Sequence, residues 1–207
     1  MARNRSLARR RPTRDPLPRM LIVCEGAVTE QGYFDDHRRA YRSVLNIEIC
    51  PGGTPRTLVD RAVKMKRDGE LKVKSEGDEN QRYDHVWCVF DVDDHPGIQA
   101  AADKATGNGI ELAISDPCFE LWILLHFQDQ RAHIKREKLR VAVRKHLPSY
   151  EKDVPCDKLR PHYEVAKKRA EDLERWHKEQ QRELPSNPST GIPRLTEQIR
   201  RFGKPVT

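Results

Sequence analysis

Two apolar runs that each stop on a carboxylate constrain this chain more than any other feature. Residues 20–24 read MLIVC and are followed at once by Glu25 and Gly26; residues 86–90 read VWCVF and are followed by Asp91, Val92, Asp93 and Asp94. Unbroken runs of β-branched, aromatic and other apolar side chains at this length fit strands covered on both faces of a sheet. An unpaired carboxylate is costly to bury, whereas the carboxyl ends of strands in open α/β sheets are where ligands and ions collect. The acids therefore mark the edge of the sheet at which chemistry is expected.

The segments between and after these runs supply the rest of an α/β pattern. Gly26 allows a tight turn, and Thr29 can cap a helix carrying Tyr33, Phe34, His37, Ala40 and Tyr41. Residues 44–50 alternate weakly as a second strand, Pro51 to Gly53 turn, and a helix is expected from Pro55 with Leu58, Val59, Ala62, Val63 and Met65 at helical spacing. Residues 66–82 are polar and read as an exposed loop. After the 86–90 strand come an alanine-rich helix over 98–106, a fourth strand over 110–115 and a nearly all-apolar helix over 118–127. This βαβαβαβ order predicts a mainly parallel four-stranded sheet flanked by helices. From Gln128 the chain turns to polar helices, over 135–146, 159–183 and 192–202, separated before the last by an Asn-Pro-Ser-Thr turn.

Charge divides along the same lines. Residues 1–19 carry seven arginines and one acid, residues 20–127 carry 12 basic and 19 acidic groups, and residues 128–207 carry 20 basic and 12 acidic. The expected organisation is a basic, disordered arm over 1–19, a catalytic core over 20–127 and a helical extension over 128–207. Acids in the middle suit a metal and basic flanks suit a polyanion, although solvated helix faces would give the same count. Arg9, Arg10 and Arg11 in the arm can track phosphates or serve as a solubilising tail. Five scattered cysteines without a CxxC pair argue for reduced thiols and against a disulfide framework or zinc site. No apolar run reaches the ~18 residues of a membrane span, no signal peptide is evident, and a cytoplasmic location is expected.

In an extended segment Asp91 and Asp93 point to the same side and can converge on one cation. Hard oxygen donors favour Mg²⁺ or Mn²⁺, which can stabilise a leaving oxygen and acidify an attacking water. A lone Asp-x-Asp can equally cap a loop; the pairing with Glu25-Gly26 some 65 residues earlier sharpens it.

Strand-Glu-Gly followed by strand-Asp-x-Asp resembles the Toprim signature of topoisomerases, primases, recombination-repair proteins and overcoming-lysogenization-defect nucleases. More specifically, LIVCEGAVTEQGYF, VWCVFDVDDH, NGIELAISDPCFELWILLHF and NPST look like the RloB-like family, associated with restriction loci and prokaryotic defence, over roughly residues 20–200. The resemblance implies a Toprim-like core with an α-helical C-terminal extension and a Mg²⁺- or Mn²⁺-dependent nuclease acting on DNA or RNA. It assigns Glu25 as general acid/base or metal ligand and Asp91 and Asp93 as the metal pair. Glu30 and Asp94 could complete a second metal site, and Glu120 is a further ligand candidate. Secondary candidates are Ser115, His126 and Asn187, for each of which capping, a satisfied buried group or turn chemistry is an alternative. Asp116 is expected to cap the helix that follows it. Beyond nucleic acid, a defence-system partner protein and a homodimer through the C-terminal helices are expected partners. The competing function is a binding module whose acids do no catalysis.

Overall fold

In the computed structural model of the chain, residues 18–26, 28–42, 44–49, 53–92, 97–151 and 153–203 are described. Arg9, Arg10, Arg11, Asp93 and Asp94 lie outside the described residues.

The strands are β1 (Arg19–Cys24), β2 (Val44–Ile49), β3 (His85–Asp91), β4 (Glu111–Asp116) and β5 (Ser189–Thr190). They form one sheet in the order β2-β1-β3-β4-β5, parallel throughout except for β5 against β4. The helices are α1 (Thr29–Tyr41), α2 (Pro55–Glu76), α3 (Ile98–Gly107), α4 (Glu120–Leu125), α5 (Arg136–His146), α6 (Cys156–Leu159), α7 (Tyr163–Glu179) and α8 (Ile192–Phe202). This is the mixed α/β class expected from the sequence, a mainly parallel sheet with a helical C-terminal part, and it is compatible with a Toprim-like core.

The pleat sorts the strand residues into two cores. Met20, Ile22 and Cys24 of β1, with Trp87 and Val89 of β3, face one layer, where α1, α4, α5, α7 and α8 pack. Leu21 and Val23, with Val86, Cys88 and Phe90, face the other layer, where α2 and α3 pack. Strands buried on both sides have no polar face to show, which is why β1 and β3 read as continuous apolar runs. The C-terminal part joins the first layer: α8 packs on α1 and β4, and α7 packs on α4.

Four expectations need correction. Residues 66–76 are not loop: α2 continues to Glu76, with buried Gly69 and half-buried Val73 continuing the inner face while Leu71 is exposed, and ends at Gly77, whose φ of 70° suits a left-handed cap accepting no Cβ strain. Gly69 is tolerated inside that helix because a Cβ there would lie 2.7 Å from the Gln81 carbonyl. The helix expected over 159–183 is divided into α6, a 3₁₀ turn at Arg160–His162 and α7, since Pro161 can donate no helical hydrogen bond. Thr29 is the first residue of α1 rather than its cap, with Val28 preceding it and no side-chain cap. Finally, Ser189 and Thr190, read as turn, form a fifth strand, in register with Asp116 and Ser115.

Between α1 and the end of α4 two histidines are buried. Nδ1 of His37 lies 3.1 Å from the Tyr33 carbonyl and Nδ1 of His126 lies 2.8 Å from the Trp122 carbonyl, so each Nδ1 carries the proton. Burial pushes both imidazoles down to about 4, against the charged form. Trp122 itself is fully buried and its Nε1 donates to the Tyr33 hydroxyl at 2.8 Å, joining α4 to α1.

Trp122→Ala is expected to cost about 3–5 kcal/mol of folding stability in urea titrations, and Trp122→Phe clearly less; a cost below about 1 kcal/mol would contradict this packing. For the histidines, the unfolded chain binds protons that the folded chain refuses between pH 6.5 and 4. Their contribution is thus fully present above the unfolded pKa and declines on acidification, by about 2 kcal/mol per ring between pH 7 and 5. A urea midpoint that does not fall across that window would contradict the neutral, buried state.

Candidate metal centre

The site is built where β1 and β3 end side by side. Cys24 pairs with Val89 in parallel register, so Glu25 and Asp91 emerge at adjacent strand ends, as the two acid-terminated runs require. Asp91 stands two residues beyond Val89, on the same face of the pleat, towards the layer holding α1 and α4.

Those two helices deliver further acids. Glu30 lies in the first turn of α1, where the helix dipole favours a negative charge, and it is only 8% exposed. Its carboxylate fills the space that a Cβ on residue 26 would need, which explains why glycine follows Glu25. Burial raises the Glu30 carboxyl above its ordinary range; its own backbone N–H and Arg136 oppose the rise, while Glu120 and Glu25 add to it. Glu120 opens α4 and is 6% exposed. Burial works against its charge too, but the adjacent Cys118 thiol, its own helix N–H and Arg140 outweigh burial and hold its carboxyl low.

Asp91, Cys118 and Glu120 each bring a potential ligand atom to within 4.8 Å of the others. Two carboxylates at that separation are a donor set for a hard divalent cation. The thiol is a different matter: burial, and then the charges of Glu120 and Asp91, push Cys118 far up, so it remains protonated beside the acids rather than acting as a thiolate. The oxygen donors of this possible metal-binding group are half-buried Asp91 and buried Glu120, with Glu25 and Glu30 alongside.

Cations of the chain also face this cluster. Arg136 Nη2 lies 2.6 Å from Asp91 and Arg140 Nε lies 3.1 Å from Glu120. Arg144, one further turn along α5, donates from Nε to the Tyr150 carbonyl at 3.1 Å. The Tyr150 side chain reaches Thr29 and adjoins Glu120, Cys118 and Glu30, and burial raises its hydroxyl pKa. None of Arg136, Arg140, Cys118 or Tyr150 was expected from the sequence. The arginines at every fourth position of 136–144 were the available signal, since that spacing places them on one helix face.

The secondary candidates separate. Asn187 is a brace: its Nδ2 donates to Asp116 Oδ1 at 2.8 Å and to the Ile134 carbonyl at 3.1 Å, and its Oδ1 accepts from the Ile134 N–H at 2.9 Å. It thereby fixes the residue two before Arg136. Asp116 serves that brace and does not cap α4, whose N-cap position is Phe119 without a side-chain bond. The Ser115 hydroxyl pairs with the Thr190 hydroxyl at 2.9 Å across β4 and β5. His126 sits at the far end of α4 from Glu120 and lines a separate cavity.

No helix among the described residues is long and apolar enough to cross a membrane. No curated protein and no solved structure matches the chain significantly. A family model described as RloB-like protein matches residues 20–199, from the first residue of the buried β1 run to the body of α8, and so includes both acid-bearing strands, the arginine face and the Asn187 brace. That span is most of the 207-residue chain, and the protein belongs to the RloB-like family.

Proposed function

We propose that this protein is a metal-dependent nuclease that hydrolyses phosphodiester bonds of DNA or RNA in prokaryotic antiviral defence. The observation that supports it most is the adjacency of the β1 and β3 ends, which puts Glu25 beside Asp91 while α4 supplies Glu120. In this reading Asp91 and Glu120 hold Mg²⁺ or Mn²⁺, with Glu25 and Glu30, and with Asp93 and Asp94 as further donors. The ion would supply charge neutralisation at the phosphoryl oxygens and a lowered pKa for water.

The chain's own groups have distinct tasks. In this reading Glu25, half-buried at the strand end, takes or returns a proton at the reacting oxygen. The guanidinium groups of Arg136 and Arg140 present several donors in a planar fork suited to phosphate oxygens, and the protein holds them on one face of α5 against the acids. Asn187 acts through Ile134 as a positioning residue for that face. The basic arm with Arg9, Arg10 and Arg11 and the basic C-terminal part would add contacts to the polyanion.

One observation favours the competing reading of a non-catalytic nucleic-acid-binding or partner-binding module. Arg136 and Arg140 already pair with Asp91 and Glu120, so these two carboxylates have counter-charges without an ion. Incubation with labelled DNA and total RNA, with Mg²⁺ or Mn²⁺, discriminates the two. Glu25→Ala and Asp91→Ala are expected to lose about 10²-fold or more of the cleavage rate with folding retained, and Arg140→Ala about 10–100-fold. Salt-sensitive binding with no cleavage by the wild type, or cleavage unaltered in the Asp91 variant, would sink the nuclease reading.

A further inference from the structure

A second cavity, of about 190 Å³, lies between α1, the end of α4, the α6–α7 junction and α8. It is bounded by the rings of Tyr33, Tyr41 and Tyr163 and by His37 and His126. The acids of the metal centre stand at the other ends of α1 and α4: Glu30 precedes His37 by two turns and Glu120 precedes His126 by nearly two. The cavity is therefore distinct from the metal centre while sharing its two helices.

Its polar atoms have a common character. His37 and His126 are 6% and 2% exposed, and each spends its Nδ1–H on the carbonyl four residues back along its own helix. The Nε2 atom of each neutral ring is therefore an acceptor, and neither has a partner among the described residues. Asp36 gives Oδ1 to Arg160 at 2.6 Å, while its Oδ2 is buried with no hydrogen-bond partner among the described residues. The Tyr33 hydroxyl accepts from Trp122, and its own proton has no acceptor among the described residues. The cavity thus offers two lone pairs, the Nε2 atoms of His37 and His126, and one hydroxyl donor between aromatic walls, while Asp36 Oδ2 has no surface open to it.

The charges around it are paired. Arg160 is held by Asp36, and Arg200 by Glu164 at 2.9 Å and Glu197 at 3.3 Å, with its guanidinium 4.0 Å from the Tyr163 ring centroid. Both cations among the described lining residues are thus already paired, which favours a neutral, flat occupant bearing N–H donors. At about 190 Å³ the space is below the ~300–1,000 Å³ of drug-sized sites and suits a single small ring system.

We propose that this cavity binds an amino-bearing nitrogen heterocycle of the kind represented by adenine and cytosine, its amino group donating to the unpartnered lone pairs of His37 and His126 and its neighbouring ring nitrogen accepting from Tyr33. An amino group beside a ring nitrogen supplies two donors and one acceptor on one edge, and the ring face supplies the stacking surface for the tyrosines. A satisfied buried acceptor is worth more than a solvated one, so the amino group is the discriminating feature.

The test is titration of the full chain with adenine, cytosine and purine, which lacks the amino group, by isothermal calorimetry without any divalent ion. Binding is read apart from cleavage, so the outcome does not depend on the nuclease reading. Adenine or cytosine is expected to bind with saturation, purine at least about tenfold more weakly, and His126→Phe to weaken the bound base at least about tenfold. Imidazole ¹⁵N spectra of the wild type provide a measurement that needs no variant: the Nε2 resonances of His37 and His126 should shift on saturation with the base. Absence of binding by both bases, equal binding of purine, or binding that leaves both imidazoles unshifted would overturn the proposal.

Discussion

Everything at the edge of this sheet depends on how gathered negative charge is tolerated. Asp91 and Glu120 bring their oxygens within 4.8 Å of one another beside the buried Glu30. At an effective dielectric of about 20, two unit charges at that distance repel by about 3 kcal/mol or more, before any cost of removing them from water. Arg136 and Arg140 offset that repulsion from α5, and their partly exposed side chains let them do so without being entombed as buried cations. In the proposed function, a site held this way exchanges one counter-charge, the arginines of its own chain, for another, a divalent ion.

That balance explains why the C-terminal part is built into the first layer rather than appended to it. The arginine face must be aimed, and the aiming is done by Asn187 on Ile134 and Asp116, by β5 on β4 and by α7 and α8 packed on α4, α1 and the sheet. The same packing encloses the second cavity, so one arrangement of helices serves both features. Trp122 is the hinge pin of that arrangement, fully buried and bonded to Tyr33 across the α1–α4 contact.

The strands were legible because burial on both faces leaves an apolar run with nothing to confuse it, and the acids were legible because they interrupt such runs at Glu25 and Asp91. Glu120 stood out as the lone acid in an apolar helix. What was not legible depended on contacts between distant segments. Cys118 beside Asp91, and Tyr150 beside Thr29, are products of tertiary packing that no spacing announces. Arg136, Arg140 and Arg144 did carry a periodic signal, but on a helix this polar the pattern is indistinguishable from solvated charge until the acids are seen opposite it. The two residues of β5 are too few for any periodicity, and the extension of α2 was hidden by its own charged, exposed surface.

The most direct measurement is a crystal structure of the full chain soaked in millimolar Mn²⁺, with anomalous difference density collected near the manganese edge. A peak is expected within about 2.5 Å of carboxylate oxygens of both Asp91 and Glu120, with Arg136 turned away from Asp91. No peak at that position, with the Arg136–Asp91 and Arg140–Glu120 pairs intact, would contradict the proposed metal centre.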